Sequence, residues 1–313
     1  MGLVWFFILT LALSFQAAAQ CCSAGNPLAG TGFESESTKN QWQISTAYKY
    51  SLSDQFYYHD YKVDNPYIEK SNFSFQNLMV SYGITNRWSL SAEAGYFYNK
   101  SQNLHFPDGL YDLGTNGFGD VSVNIKYLAF RKSKPATMLS FAVGSKIPVG
   151  AFEQSVDGIT IPVSLQPSSG AFKYTASVYF QRLSKNKKLG FASQGFLELS
   201  SEINKNYLIY RYGPYLRLNA GVMRQITPKL SFSLFGVYDY RGKDTRELGQ
   251  IVDQSGSIAV YLQPWIQYAF RKDRVVFANV EKPIYRYFFG EQMGNKMAVQ
   301  IGFRMFYQRD CED

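Results

Sequence analysis

Cysteine and histidine are nearly missing from this chain of 313 residues, which has three of the first and two of the second. Cys21, Cys22 and Cys311 stand at the two ends, so no spaced cysteine pairs exist to hold a structural metal. The adjacent Cys21 and Cys22 would suit a soft ion such as copper. His and Met ligands are lacking around them, however, and no metal is expected. An HExxH pair, a CxxC pair and a Walker-type phosphate loop are absent as well. Gly117-Phe118-Gly119 precedes a strand pattern, where a dinucleotide fingerprint needs a helix. No cofactor is expected.

Beyond the first twenty residues no apolar run approaches the length of a spanning helix, about 20 residues. The first twenty read as an export signal: an apolar core from Leu3 to Leu13, then Ala17-Ala18-Ala19, with cleavage after Ala19. No Lys or Arg precedes the core, so the amino terminus alone supplies positive charge. Gln20 is not the small residue that lipidation of Cys21 would want. In an oxidising compartment Cys311 becomes a disulfide candidate for Cys21 or Cys22, provided the chain ends meet.

Charged residues make up only 18% of the chain, yet the formal balance is +8. The basic residues are scattered through turns and alternating segments, with no stripe or basic helix, so nucleic acid is not an expected partner. Apolar residues are an ordinary 46%, but much of that share lies in 24 Tyr and 25 Phe. Such side chains suit strands and membrane interfaces.

The stretch "NGFGDVSVNIKYLAF" shows how they are arranged. Val121, Val123, Ile125 and Tyr127 alternate with Asp120, Ser122, Asn124 and Lys126, a period of two that marks a strand with one apolar and one polar face. The pattern recurs about twelve times. Short basic turns such as "RKSKPA", "SKNKK" and "RKDR" alternate with long loops over Ser53–Asn72, Asn99–Phe118, Val149–Gly170 and Arg241–Ser255. A soluble sandwich has no reason to keep its long loops at one end, whereas an outer-membrane barrel does.

The expected fold is all-β: a transmembrane antiparallel up-and-down barrel of about twelve strands, with short periplasmic turns and long extracellular loops. Its parts are a signal peptide (1–19), a periplasmic N-terminal segment (20–40), the barrel (41–307) and a periplasmic tail (308–313). The apolar faces, Leu216-Leu218-Ala220-Val222 among them, should meet lipid, with Trp42, Tyr50, Tyr98, Tyr127, Tyr238 and Tyr268 at the rims. The terminal "QIGFRMFY" is similar to the assembly signal of such barrels in Gln300, Gly302, Met305 and Tyr307. Expected partners are therefore the lipid bilayer and the barrel-assembly machinery.

The polar faces should line the lumen with both signs of charge: Lys49, Glu93, Lys126, Lys146, Lys173, Glu198, Arg217, Asp239, Glu281 and Arg304. Of these, Lys126, Lys146, Glu198, Arg217, Glu281 and Arg304 are the candidate solute contacts. They either brace a filled barrel or form the charged rungs of a passage.

Three segments, "GFGDVSVNIKY", "FAVGSKIPVG" and "EKPIYRYFFGEQMGNKMAVQIG", carry a resemblance that extends from about Asn116 to Tyr307. The chain resembles the outer-membrane barrels of the MetA-pathway of phenol degradation transporter family, in a Bacteroidetes-type version. The resemblance implies a transporter of aromatic or other hydrophobic compounds. Of the matched framework positions Gly119-Asp120, Lys146-Ile147-Pro148 and Glu281-Lys282-Pro283, it leaves Asp120, Lys146 and Glu281 able to bind a solute.

The function read from the sequence is thus a passive outer-membrane channel for small hydrophobic or aromatic, including anionic, solutes. The alternatives are a non-conducting binding or structural barrel and a barrel-wall lipid hydrolase. The last would need His59 or His105, with Asp60, Asp108 or Ser101 nearby, and no lipase arrangement is recognisable. No catalytic residue is expected.

Overall fold

The computed structural model of the chain describes residues 38–106, 109–156, 158–205 and 208–308. The expected signal peptide, all three cysteines, most of segment 20–40 and residues 309–313 of the tail lie outside the described residues.

Ten strands follow in order: β1 (Gln41–His59), β2 (Ile68–Gly83), β3 (Trp88–Phe106), β4 (Val121–Ser133), β5 (Ala136–Ile147), β6 (Lys173–Leu183), β7 (Leu189–Ser200), β8 (Tyr215–Gln225), β9 (Leu230–Arg241) and β10 (Ser257–Arg271). The last extended run, Arg274–Gln308, has 35 residues and doubles back on itself. Phe306 N donates to Asp273 O at 2.8 Å, and Asn279 Nδ2 donates to Gln300 Oε1 at 2.9 Å. Both pairs fit one hairpin turning at residues 289–290. Its limbs are β11 (274–288), antiparallel to β10, and β12 (291–308), antiparallel to β1. Twelve strands therefore close into one barrel, each bonded to its sequence neighbour and the last to the first. Closure satisfies the backbone groups that lipid cannot. Two short strands, Tyr61–Val63 and Gly109–Phe118, extend β1 and β3 at the long-loop end.

The barrel is inside-out relative to a soluble protein. Leu78, Leu90, Phe141, Val143, Phe191, Leu218, Val222, Ile266 and Ile301 are exposed, while Gln43, Ser45, Asn77, Ser122, Lys146, Glu198, Arg217 and Gln300 are buried. On β1 the expected outward set of Trp42, Ile44, Thr46, Tyr48 and Tyr50 alternates with buried Gln43, Ser45 and Ala47. An apolar belt of this kind is the surface that a bilayer covers. Aromatics mark its short-turn edge, where Trp42 packs on Tyr82 and Trp88 on Tyr127, both at 4.6 Å. Tyr268 and Tyr307 are exposed at the same edge. Gln300 and Gly302 face inward and Met305 and Tyr307 outward, so the terminal strand is amphipathic in the expected sense.

Candidate functional site

The lumen is not an open pipe. The connection from β5 to β6, residues 148–172, is an outside loop by its position in the chain, but its middle turns into the barrel mouth. Ile161, Leu165, Gln166, Ser168 and Ala171 are almost wholly buried. Polar groups on the wall fix it there. Lys100 Nζ donates to Gln166 O at 2.7 Å and Thr115 Oγ1 to Leu165 O at 2.5 Å. Asp120 accepts from Ser168 Oγ (2.7 Å), Ser169 N (3.0 Å) and Ser169 Oγ (2.5 Å). Tyr212 Oη donates to Ser169 O at 2.9 Å from the loop between β7 and β8. Burial and the charges of Asp120 and Asp244 raise the pKa of the Tyr212 phenol well above the ordinary range, which keeps that donor protonated.

Beneath the loop lies a cavity of about 180 Å³. Its aromatic lining comprises Phe75, Phe97, Tyr210, Tyr212 and Tyr215, and its cations are Lys100, Lys146, Lys173 and Arg241. Glu198 joins two of these cations, at 2.6 Å from Lys146 Nζ and 3.1 Å from Lys173 Nζ. Lys173 also lies over the Tyr212 ring at 4.3 Å and Lys146 over Phe196 at 5.6 Å, contacts in which the ring quadrupole favours a cation. The far end of the Phe75 ring packs against Gly95, whose missing side chain makes room for it; a Cβ there would stand 2.0 Å from the ring.

A second, smaller cavity of about 30 Å³ shares Arg241 with the first. Arg217 lies at its centre, 3.0 Å from Asp239 and 2.5 Å from Glu281. Lys49, Arg241 and Arg286 also line it, so four cations face two carboxylates. This space is about the size of a single water.

An apolar layer then crosses the lumen toward the short-turn end. Met138, Tyr179, Phe235, Val237, Trp265 and Phe277 form one buried cluster, with Ala47 and Ala192. Below it a third cavity of about 350 Å³ opens among the short turns, with Tyr179, Met223 and Arg304 in its wall.

The expected lumen residues are thus divided. Lys146 and Glu198 meet in the first cavity, Arg217 and Glu281 in the second, and Arg304 lies over Phe277 at 5.5 Å beside the third. Lys126 is half-buried on the inward face of β4 and pairs in register with Ala142 near the short turns, apart from all three cavities. The charged inward faces read from the sequence are interrupted by this apolar layer. Segments such as "FSLFGVYDY" are apolar on both faces, and a strict alternation reading sees only the outward one. His59 stacks on Tyr287 at 4.9 Å, and His105 is exposed. Ser101 is buried, its Oγ accepting from Asn99 Nδ2 at 3.1 Å.

Comparison with known proteins agrees with this architecture. A family model described as "Putative MetA-pathway of phenol degradation" matches residues 100–286, more than half of the chain. No curated protein sequence matches it. Among solved structures, the COG4313 outer membrane channel from Pseudomonas putida F1 is similar, at 12% identity and a TM-score of 0.69, over 86% of this chain and 96% of that one. The NanC porin aligns at 12% identity and TM-score 0.43, over 84% of this chain and 98% of the porin. The KdgM porin aligns at 13% identity and TM-score 0.41, over 83% and 98%. At 12% identity the likeness to the COG4313 channel is one of fold alone.

Proposed function

The chain belongs to the MetA-pathway of phenol degradation family, and from that premise we propose that it is a passive outer-membrane channel for small aromatic or hydrophobic solutes, including those with an anionic group. The signal at 1–19 exports it, and the barrel-assembly machinery inserts it by its terminal strand.

The observation that carries this reading is the order of surfaces along the lumen. A solute entering from the loop side first meets aromatic rings interleaved with Lys100, Lys146, Lys173 and Arg241. Rings supply an apolar, stackable wall, and the cations supply a counter-charge for a carboxylate or phenolate. It then meets the layer of Met138, Tyr179, Phe235, Trp265 and Phe277. Such a layer dewets readily and holds hydrated ions to a low but steady conductance. An aromatic solute replaces the missing water there and crosses at lower cost.

A second reading, a binding barrel that does not conduct, is favoured by the seated loop and the Arg217–Glu281 bridge. Conductance of the refolded protein in a planar bilayer, with and without benzoate, separates the two. A steady conductance that benzoate reduces in a concentration-dependent way is expected. A folded, heat-modifiable barrel that never conducts would leave the binding reading standing.

A further inference from the structure

The charge of this barrel is sorted along its axis. The five short-turn segments, 84–88, 131–135, 182–188, 224–229 and 271–274, contain thirteen Lys and Arg and a single acid, Asp273, which pairs with Arg274 at 3.4 Å. At the opposite end the described residues of segments 60–67, 109–119, 148–172, 201–214 and 242–256 contain eight acids and five bases. The short-turn rim alone carries more than the whole net charge of +8. Solubility does not require this, because a mixed rim would serve equally well.

The position of these cations names their partner. They begin where the belt's aromatic edge ends: Arg87 Nη1 donates to Tyr127 Oη at 3.5 Å, and Tyr127 packs on Trp88. Arg182 and Arg224 at strand ends, and Lys185, Lys187, Lys188 and Lys229 in the turns, are exposed just beyond exposed Leu189 and Phe232. Aromatic girdles sit at the headgroup level of a bilayer, and Lys or Arg stems extend from there to the phosphates. Because both ends of the barrel chain, Gln41 and Gln308, pair at this same rim, it is the periplasmic side of the fold.

We propose that the short-turn rim is a binding collar for the headgroups of anionic phospholipids in the leaflet it meets. Each cation near an anionic surface adds to the attraction, and salt screens it. Lys187, Lys188, Arg224 and Lys229 also line the third cavity, so the collar borders the short-turn mouth of the lumen. It holds the barrel in one orientation and one depth, with the acidic loop rim on the far side.

The test is native mass spectrometry of the barrel released from nanodiscs of phosphatidylcholine with an equal share of phosphatidylglycerol. The wild-type protein should keep phosphatidylglycerol several-fold in preference, and the preference should fall with added salt. A variant combining Lys185→Gln, Lys187→Gln, Lys188→Gln and Lys229→Gln should lose most of it, while Lys205→Gln with Lys243→Gln at the loop end should not. Heat modifiability confirms that each variant is folded, and Lys229→Gln alone serves should the fourfold variant fail to fold. Equal retention of both lipids, or a preference untouched by the rim changes, overturns the proposal. So does salt-sensitive binding of polyglutamate at the rim without any lipid preference, which would assign the collar to an acidic protein partner.

Discussion

Arg217 on β8 reaches past β9 and β10 to Glu281 on β11, at 2.5 Å, while keeping Asp239 on the adjacent strand at 3.0 Å. A contact over that distance crosses the lumen rather than following its wall. Removing Arg217 takes away the cation bonded to both carboxylates and leaves them the other cations lining this small cavity, Lys49, Arg241 and Arg286. Breaking a buried pair in this way costs about 3–5 kcal/mol. Arg217→Ala should therefore lower the urea midpoint of the refolded barrel markedly. Glu281→Gln, which keeps one partner of Arg217, should lower it much less. Equal midpoints for the two variants would show that the bridge braces nothing.

Asp120 accepts three hydrogen bonds from the loop that fills the mouth. Bonds to a charged acceptor contribute about 1.5–3 kcal/mol each, so this one side chain supplies much of the loop's attachment. Asp120→Ala should free the loop. The expected signs are faster limited proteolysis within residues 148–172 and a larger, noisier single-channel conductance. Unchanged proteolysis would mean that Lys100 and Thr115 suffice to hold it.

Much of this was legible in the sequence. The strand count follows from the number of alternating runs, the barrel from the long loops kept at one end, and the outward direction of Leu218 or Ile301 from a period of two, because a one-residue slip would reverse every face. The pairing of Lys146 with Glu198, or Arg217 with Glu281, was legible only as membership of one inward face. Residues 52 or 64 apart in sequence come together through register, which alternation does not give. The role of Asp120 was hidden further, since its partners lie in a loop without periodicity. Phe235 and Trp265 were missed because aromatic residues on a polar face look like noise until a lumen surrounds them.

Glu198 is the counter-charge to both Lys146 and Lys173 in the first cavity. Glu198→Gln keeps the shape and removes the negative charge, leaving two ammonium groups to meet a solute. Block of the channel by benzoate should strengthen by about tenfold, equivalent to ~1.4 kcal/mol, with no gain for neutral phenol. The comparison of benzoate with phenol isolates the charge effect. An equal change for both solutes would assign the effect to a shifted wall rather than to charge.

Phe232 and Phe235 stand three residues apart on β9 and face opposite media. Phe232 is 41% exposed on the belt, whereas Phe235 is 1% exposed within the apolar layer of the lumen. Truncating either one removes the same ring, so the two variants differ only in which side of the wall is changed. Phe232→Ala should leave conductance as it was, because lipid chains fill the space. Phe235→Ala should open a gap between Trp265 and the neighbouring wall, admit water and raise ion conductance several-fold. It should also weaken discrimination in favour of aromatic solutes, since hydrated ones then pass. Equal conductance in the two variants would mean that the apolar layer is not the barrier, and that the loop anchored on Asp120 closes the lumen alone.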